Sequence, residues 1–344
     1  MLKGLLLHVI SKLQKSRSAS GAVHILKGKR SAQTIQDIEL FQLNQWAGAA
    51  RCWKGKDLAA LAEQLYNEKM ITGDNRRSAV TDKGYHLLKQ TAWMNELYFQ
   101  GREYEWTGFA EVFWRKLNLT VQAAGSLAST NRGFLPVYAE ADERDAVRSI
   151  IKRAGSRRVN RLIYEKLDQE LRQLPDKSAL IFVSRLAGNQ SQGKTVKQLA
   201  GSMPEEEVYL RWRSVIHQLM STEWPEEFLP LISHVKQQSA LTNSAVKTRA
   251  LVMNGKSKDE IAAERGLKSS TVEDHLVELA MFDSAFPAAR YIPSEKLKEL
   301  TVILQDAGQQ ASLKDIKETA GDKGSYFDIR LAGALMKNRK EGKL

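Results

Sequence analysis

The run Asn254–Leu279, NGKSKDEIAAERGLKSSTVEDHLVEL, constrains the fold more than any other stretch of the chain. Ser257 followed three residues later by Glu260 is a capping box, in which each side chain satisfies a backbone N–H of the other. It predicts a helix whose inward residues are Ile261 and Ala262, the small Ala262 allowing a second helix to approach closely. Gly266 marks the turn, where a left-handed residue avoids the Cβ penalty, and Leu267 fills the gap behind it. Ser270 with Glu273 reads as a second capping box, and Val272, Leu276 and Leu279 give the next helix one apolar face. Two short helices joined in this way form a helix-turn-helix, a device that presents its second helix to DNA.

With 344 residues, the chain exceeds what one small core organises. Seven Trp predict well-filled cores, and a single cysteine, Cys52, excludes an internal disulfide framework and fits a reducing cytoplasm. The opening MLKGLLLHVI lacks the length and small-residue cleavage site of a signal peptide. No run approaches the roughly 20 apolar residues that span a bilayer. NELYFQG at Asn95–Gly101 resembles a tag-cleavage site, but Asn95 stands where a protease needs Glu, so the run reads as native.

A net charge of +12 favours a polyanionic partner. Seven basic residues and no acid lie between Met1 and Gln36, and a second cluster runs through Arg148, Lys152, Arg153, Arg157, Arg158 and Arg161. The structural alternative is a set of solvated helix faces.

Helical spacing dominates, so the expected fold is mainly α, a multi-domain chain of winged-helix and helix-turn-helix modules with short β-hairpins. Short helices are predicted over Leu5–Leu13, Ala22–Leu26 and Thr34–Leu43, and Leu58, Leu61, Ala62 and Leu65 make an amphipathic helix. Then follow KMIT, the turn-rich GDNRRS, AVT and DKGYHLL, the outline of a winged helix with Arg76 and Arg77 near the wing tip. An ordinary surface hairpin is the alternative. Trp106, Phe109, Phe113, Trp114 and Leu117 fall at helical spacing and read as core. The acidic AEADERD marks a loop before a helix over Ala146–Ala154, and Leu162–Leu174 is amphipathic. Ala179–Val183 is a strand or a buried helix turn, and TVKQLA resembles the start of a second helix-turn-helix. Val208–Met220 is a helix, and Pro225 and Pro230 bracket a linker-like turn. Helices over Glu295–Asp306 and Leu313–Ala320 follow, then SYFDIRLAGALMKN. The expected domains are a winged-helix-like 1–100, a helical 101–236 and a helix-turn-helix domain over 237–344.

Gly188–Thr195, GNQSQGKT, fits the phosphate-loop pattern, in which Lys194 meets terminal phosphates and Thr195 a Mg²⁺. Its context does not fit. Ser184 and Arg185 interrupt the preceding apolar run, and the following helix stops by Gly201. No later apolar strand ends in an Asp that could hold the metal. The chain also lacks the strand–helix alternation of a parallel sheet. The six His are scattered, Cys52 has no second thiol, and no G-x-S-x-G elbow occurs. His217 and His275 read as core or capping residues. The residues predict no catalytic group, no cofactor, no metal and no small-molecule substrate.

The run LLLHVISKLQKSRSASGAVHILKGKRSAQTIQDIELFQL, together with the closing helix-turn-helix and SYFDIRLA, resembles the bacterial YpbB-type proteins over nearly the whole chain. Its C-terminal part also resembles the helix-turn-helix module at the C-terminus of some RecQ-type DNA helicases. Genes of this family commonly neighbour one for such a helicase. The resemblance therefore implies an accessory protein of a RecQ-type helicase in repair or recombination, and no helicase core is present here.

STVEDHL is also similar to the opening of the recognition helix in LuxR-type transcription regulators. Glu273, Asp274 and Glu278, however, put three acids on the reading helix, and acids facing the groove repel phosphate. Contact with DNA is expected at the helix's first turn, Lys268, Ser269, Ser270 and Thr271, through side chains and free backbone N–H groups. The expectation is a non-enzymatic, cytoplasmic, nucleoid-associated protein that holds DNA mainly by phosphate, with low sequence specificity. Its expected contacts are Lys29, Arg30, Arg76, Arg77, Arg153, Arg157, Arg158 and that turn. The alternatives are an adaptor that docks on the helicase through the C-terminal module, or a LuxR-like regulator.

Overall fold

The computed structural model describes residues 2–13, 15–51, 57–74, 76–101, 108–129, 135–138, 140–188, 191–201, 203–233, 241–307 and 313–340. Trp106 and Cys52 lie outside the described residues. The first helices are α1 (Leu2–Lys12), α2 (Ala19–Leu26), α3 (Ala32–Leu40) and α4 (Leu58–Asn67). A hairpin of β1 (Ile71–Gly73) and β2 (Ser78–Val80) leads to α5 (Asp82–Gln90). Next come α6 (Phe109–Ala128), α7 (Ala141–Ala154), α8 (Val159–Leu171), α9 (Asp176–Arg185), α10 (Val196–Ala200), α11 (Glu205–Ser221) and α12 (Leu229–Ile232). The chain closes with α13 (Asn243–Met253), α14 (Lys258–Arg265), α15 (Ser269–Phe282), α16 (Ser294–Ala307), α17 (Leu313–Ala320) and α18 (Tyr326–Lys340). The fold is mainly α, and the described sheet is the antiparallel hairpin alone, with Ile71 opposite Val80 and Gly73 opposite Ser78.

Two compact units emerge: Met1–Lys29 with Leu43–Gln238, and Arg30–Gln42 with Ser239–Leu344. The segment carrying α3 thus belongs to the second unit although its sequence neighbours belong to the first.

In the first unit, α1, α2 and α4 pack around Leu5, Leu6, Ile25, Leu26 and Leu65, all fully buried. Ser78 binds β2 to the chain between α1 and α2: its N–H donates to the Arg17 carbonyl at 2.9 Å, and its hydroxyl accepts from Ala19 N–H at 2.8 Å. Asp57 and Thr81 cap α4 and α5 with their side-chain oxygens. The result is the winged-helix outline read from the sequence, with α4 immediately before the wing.

The same unit holds an aromatic core centred on α6 and α11. Trp114 meets Phe182 and Trp212 edge-on at 5.5 and 5.1 Å, and Phe113 meets Trp224 at 5.8 Å. Edge-to-face pairs of this kind add about 0.5–1.5 kcal/mol beyond area burial. The NELYFQG run is built into this unit. Tyr98 N–H donates to Ser214 Oγ at 2.8 Å, Gln100 N–H donates to His217 Nδ1 at 3.0 Å, and Phe99 lies edge-on to His217. Arg211 reinforces the contact, donating to Glu207 at 2.8 Å and to Glu96 at 3.3 Å while covering the Trp93 ring.

In this unit the structure decides one open alternative and corrects two expectations. Ala179–Val183 is helical, as part of α9, with Ile181 and Phe182 turned into the core. Two acids of AEADERD, Asp142 and Glu143, lie in the first turn of α7, where they complement the helix dipole. The Pro225–Pro230 stretch is no linker: Phe228 and Leu231 are fully buried and α12 starts within it.

The second unit is built around α15. Val272, Leu276 and Leu279 are buried as expected, but so are His275, Val277, Glu278 and Ala280. Helices α13, α14, α18 and α3 all pack on it, with Ile35, Ile38, Ile329, Leu331 and Leu335 among the residues that complete the core. Inside that core, His275 Nδ1 lies 2.9 Å from the Thr248 hydroxyl, which also accepts a hydrogen bond from Arg265.

Replacing Gly266 with Ala should destabilise the second unit by about 1 kcal/mol. Its φ is +60° and no atom obstructs a Cβ, so the cost is the left-handed conformation alone; urea unfolding measures it. Burial, with Arg265 nearby, lowers the His275 pKa below 6.5. The unfolded chain therefore takes up this proton first, and its contribution to stability is lost as pH falls below that value. His275→Gln should lessen the decline in unfolding free energy between about pH 7.5 and 5 relative to the parent chain. An unchanged pH profile would contradict this role.

Candidate nucleic-acid interface

The helix-turn-helix is assembled from its caps. Ser257 N–H donates to Glu260 Oε2 at 2.8 Å while Ser257 Oγ accepts from Glu260 N–H at 3.3 Å, completing the reciprocal box that starts α14. Gly266 ends that helix in the left-handed conformation, and Leu267 N–H donates back to the Ala262 carbonyl at 3.0 Å. The second box is not formed. Helix α15 begins earlier, with Lys268 at its N-cap and no capping side chain. Glu273 instead accepts from Lys258 Nζ at 2.7 Å.

That bond, with those of the other two acids, corrects the picture of an acidic outer face. Asp274 pairs with Arg330 of α18. Glu278 is 4% exposed and binds the Thr242 N–H at 2.5 Å and the Thr242 hydroxyl at 3.0 Å. Burial raises the Glu278 pKa, against the lowering effect of the Thr242 bonds and the Arg30 charge. The three acids tie α15 to α14, α18 and the N-cap of α13. They do not face a groove, so repulsion of phosphate is not their effect.

The consequence is geometric. A helix laid along the major groove must expose its body, and the body of α15 is covered. What it exposes is Lys268, Ser269 and Ser270, with Thr271 half-buried. These are the four residues expected from the sequence, and the exposed Lys268 side chain has no ionic or hydrogen-bonding partner among the described residues. Free N–H groups at an uncapped helix start, beside a lysine, suit an anionic oxygen.

In the first unit, α4 occupies the position before the wing. Its exposed residues are Ala59, Ala60, Glu63, Gln64 and Asn67, following exposed Asp57 at the cap. None of them is a cation. The positive charge lies instead on the wing, where Arg76 and Arg77 are exposed. Asp74 shapes that tip by accepting from Arg76 N–H at 2.7 Å and Arg77 N–H at 2.8 Å, bonds that hold its own pKa below the ordinary value.

Arg153, Arg157 and Arg158 are brought together with Lys152 at the turn between α7 and α8, and all four side chains are exposed. Two flanking members of the sequence cluster are paired, Arg148 with Asp145 and Arg161 with Glu165. Lys152 and Arg153 also sit at the negative end of the α7 dipole, which provides a structural reason for basic residues there. Lys29 is exposed in the first unit. Arg30 belongs to the second, half-buried, with its charge acting on Glu278.

Asn189 and Gln190 of the GNQSQGKT tract lie outside the described residues, and the elements flanking the tract are not those of a phosphate loop. A helix, α9, precedes it in place of a strand, and α10 behind it has five residues. TVKQLA forms its own capping box between Thr195 and Gln198. No group of three or more His, Cys, Asp or Glu among the described residues is placed to hold a metal. No described helix is long and apolar enough to cross a membrane.

Comparison with known proteins agrees with this layout. Residues 244–333, within the second unit, match the family model described as "Helix-turn-helix domain", which points to DNA binding. No solved structure matches the chain. The chain is 30% identical over 340 residues to Protein YpbB of Bacillus subtilis (strain 168), a match covering 95% of each chain. At that identity and coverage, the chain belongs to the YpbB family.

Proposed function

We propose that this chain is a non-enzymatic DNA-binding accessory protein that grips the phosphate backbone and works with a RecQ-type DNA helicase in repair or recombination. The carrying observation is the contrast between the two helices in reading positions and the exposed cations. Helix α15 offers only its first turn, and α4 offers no cation, while Arg76, Arg77, Lys152, Arg153, Arg157, Arg158 and Lys268 project from turns and helix ends. Cations on turns and helix ends reach phosphates without entering a groove, so they add affinity without reading sequence. The buried body of α15 argues against a LuxR-like regulator for the same reason. The helicase partner is supported by the resemblance of the C-terminal module to that of RecQ-type helicases.

A protein-docking role for the C-terminal module has one observation in its favour. Val246 and Met253 are 44% and 36% exposed and stand two turns apart on one face of α13. In that reading Val246→Asp weakens co-purification with the helicase and leaves DNA affinity unchanged.

Fluorescence anisotropy of the full chain on a duplex, across a salt series, tests the DNA reading. Log affinity should fall linearly with log salt, by about 0.9 per phosphate contacted. Lys268→Gln should flatten the slope by about 0.9, and the triple change Arg153→Gln, Arg157→Gln, Arg158→Gln by about 0.9 for each side chain that meets a phosphate. Scrambling the duplex sequence should change affinity little. Absence of binding at low salt, or a salt-independent affinity, would overturn the proposal.

A further inference from the structure

A cleft of about 410 Å³ opens in the first unit where α9 ends, within the size range of small-molecule sites. Its wall includes Trp114 and Asn118 of α6, Tyr138, Arg185, Lys194 and Thr195, and no carboxylate is among its described lining residues. It is distinct from every exposed cation assigned above to DNA.

Arg185 is the unusual member. Its guanidinium lies over the Trp212 ring, 3.9 Å from the centroid, and 5.9 Å from that of Trp114. Nε and Nη1 are sealed from solvent with no acceptor among the described residues. Glu111 is the carboxylate whose charge reaches it, and Glu111 is paired with Arg213 at 3.6 Å. Burial consequently draws the Arg185 pKa below the ordinary arginine value. Stacking on an indole offsets only part of what burying a cation costs. A partly buried guanidinium on a cleft wall, with no carboxylate of its own, favours an oxyanion there.

The GKT tract brings a second cation to the same wall. Lys194 N–H donates to the Ser184 carbonyl at 2.8 Å, folding the loop back onto the end of α9. Gly193 makes this closure possible: at φ +72° a Cβ would stand 2.2 Å from the Arg185 carbonyl oxygen. The Lys194 side chain is exposed and has no partner among the described residues, whereas the Thr195 hydroxyl is committed to the α10 cap. Beside Arg185, Trp114 Nε1 donates to the Tyr138 hydroxyl at 3.1 Å, which holds two aromatic rings together in the lining of the cleft.

We propose that this cleft binds a phosphate monoester, with the oxyanion between Arg185 and Lys194 and the body of the ligand against Trp114 and Tyr138. The chemistry differs from that of a phosphate loop, because two side chains supply the charge and no helix dipole or metal is needed. A free nucleotide and the 5′-phosphate end of a DNA strand both carry this group. The inference does not rest on the DNA-binding role of the turns, so either can fail without the other.

Calorimetric titration of the full chain with inorganic phosphate and with adenosine 5′-monophosphate, at fixed ionic strength, tests the site. Anisotropy with 5′-phosphorylated and 5′-hydroxyl forms of one single strand separates the two sources. Saturable binding of the nucleotide, tighter than phosphate alone, identifies a free ligand. A preference for the phosphorylated strand that the nucleotide does not share identifies a strand end. In either case Lys194→Ala and Arg185→Met should each weaken binding by about tenfold. Lys194 is exposed, so its variant tests the site even if Arg185→Met fails to fold. The proposal is overturned if neither the nucleotide nor the phosphorylated end is bound selectively, or if Lys194→Ala binds as the parent chain does.

Discussion

Helix α15 is held on several sides by bonds to its own carboxylates, and the second unit is arranged around that fact. Glu278 anchors the first turn of α13, Glu273 anchors α14 through Lys258, and Asp274 anchors α18 through Arg330. The half-exposed pairs contribute little stability individually, on the order of 0–1 kcal/mol. The buried Glu278 is different, because two hydrogen bonds from Thr242 compensate its burial, and losing it would leave buried donors unsatisfied. The acids therefore act more on where the neighbouring helices sit than on net stability, and they decide which side of α15 reaches solvent.

That arrangement limits what the helix-turn-helix can do. A reading helix needs a solvated body, and here four helices cover it, including α3 from far upstream in the chain. Only the end of the helix remains, and an end meets phosphate more readily than base edges. The winged-helix part of the first unit reaches a similar balance by another route, since its helix before the wing is exposed but carries no cation. Both modules keep the topology of base readers while their charge sits on turns.

Much of the fold was legible in the residues. The Ser257–Glu260 box and Gly266 act within a few residues of chain, so sequence spacing reports them directly. The hairpin with Arg76 and Arg77 at its tip was equally local. The second box failed because Glu273 had a stronger partner, Lys258, fifteen residues away in sequence. Ala179–Val183 was ambiguous because a short apolar run fits a buried strand and a buried helix alike. The cleft was hidden for a related reason. Its residues come from four separate stretches of chain, and the GKT tract pointed to a phosphate-loop architecture that the neighbouring helices do not support.

The sequence by itself determined the class of fold, the caps and turn of the helix-turn-helix, the family and the places where positive charge concentrates. These follow from local hydrogen bonding, helical periodicity and composition, none of which needs a distant partner. Only the tertiary structure decided that the acids of α15 point to partners, that α3 packs with the C-terminal helices, and that Arg185 and Lys194 share one cleft. Each of those depends on which helices meet, and burial is a property of the whole packed unit that no short window of sequence contains.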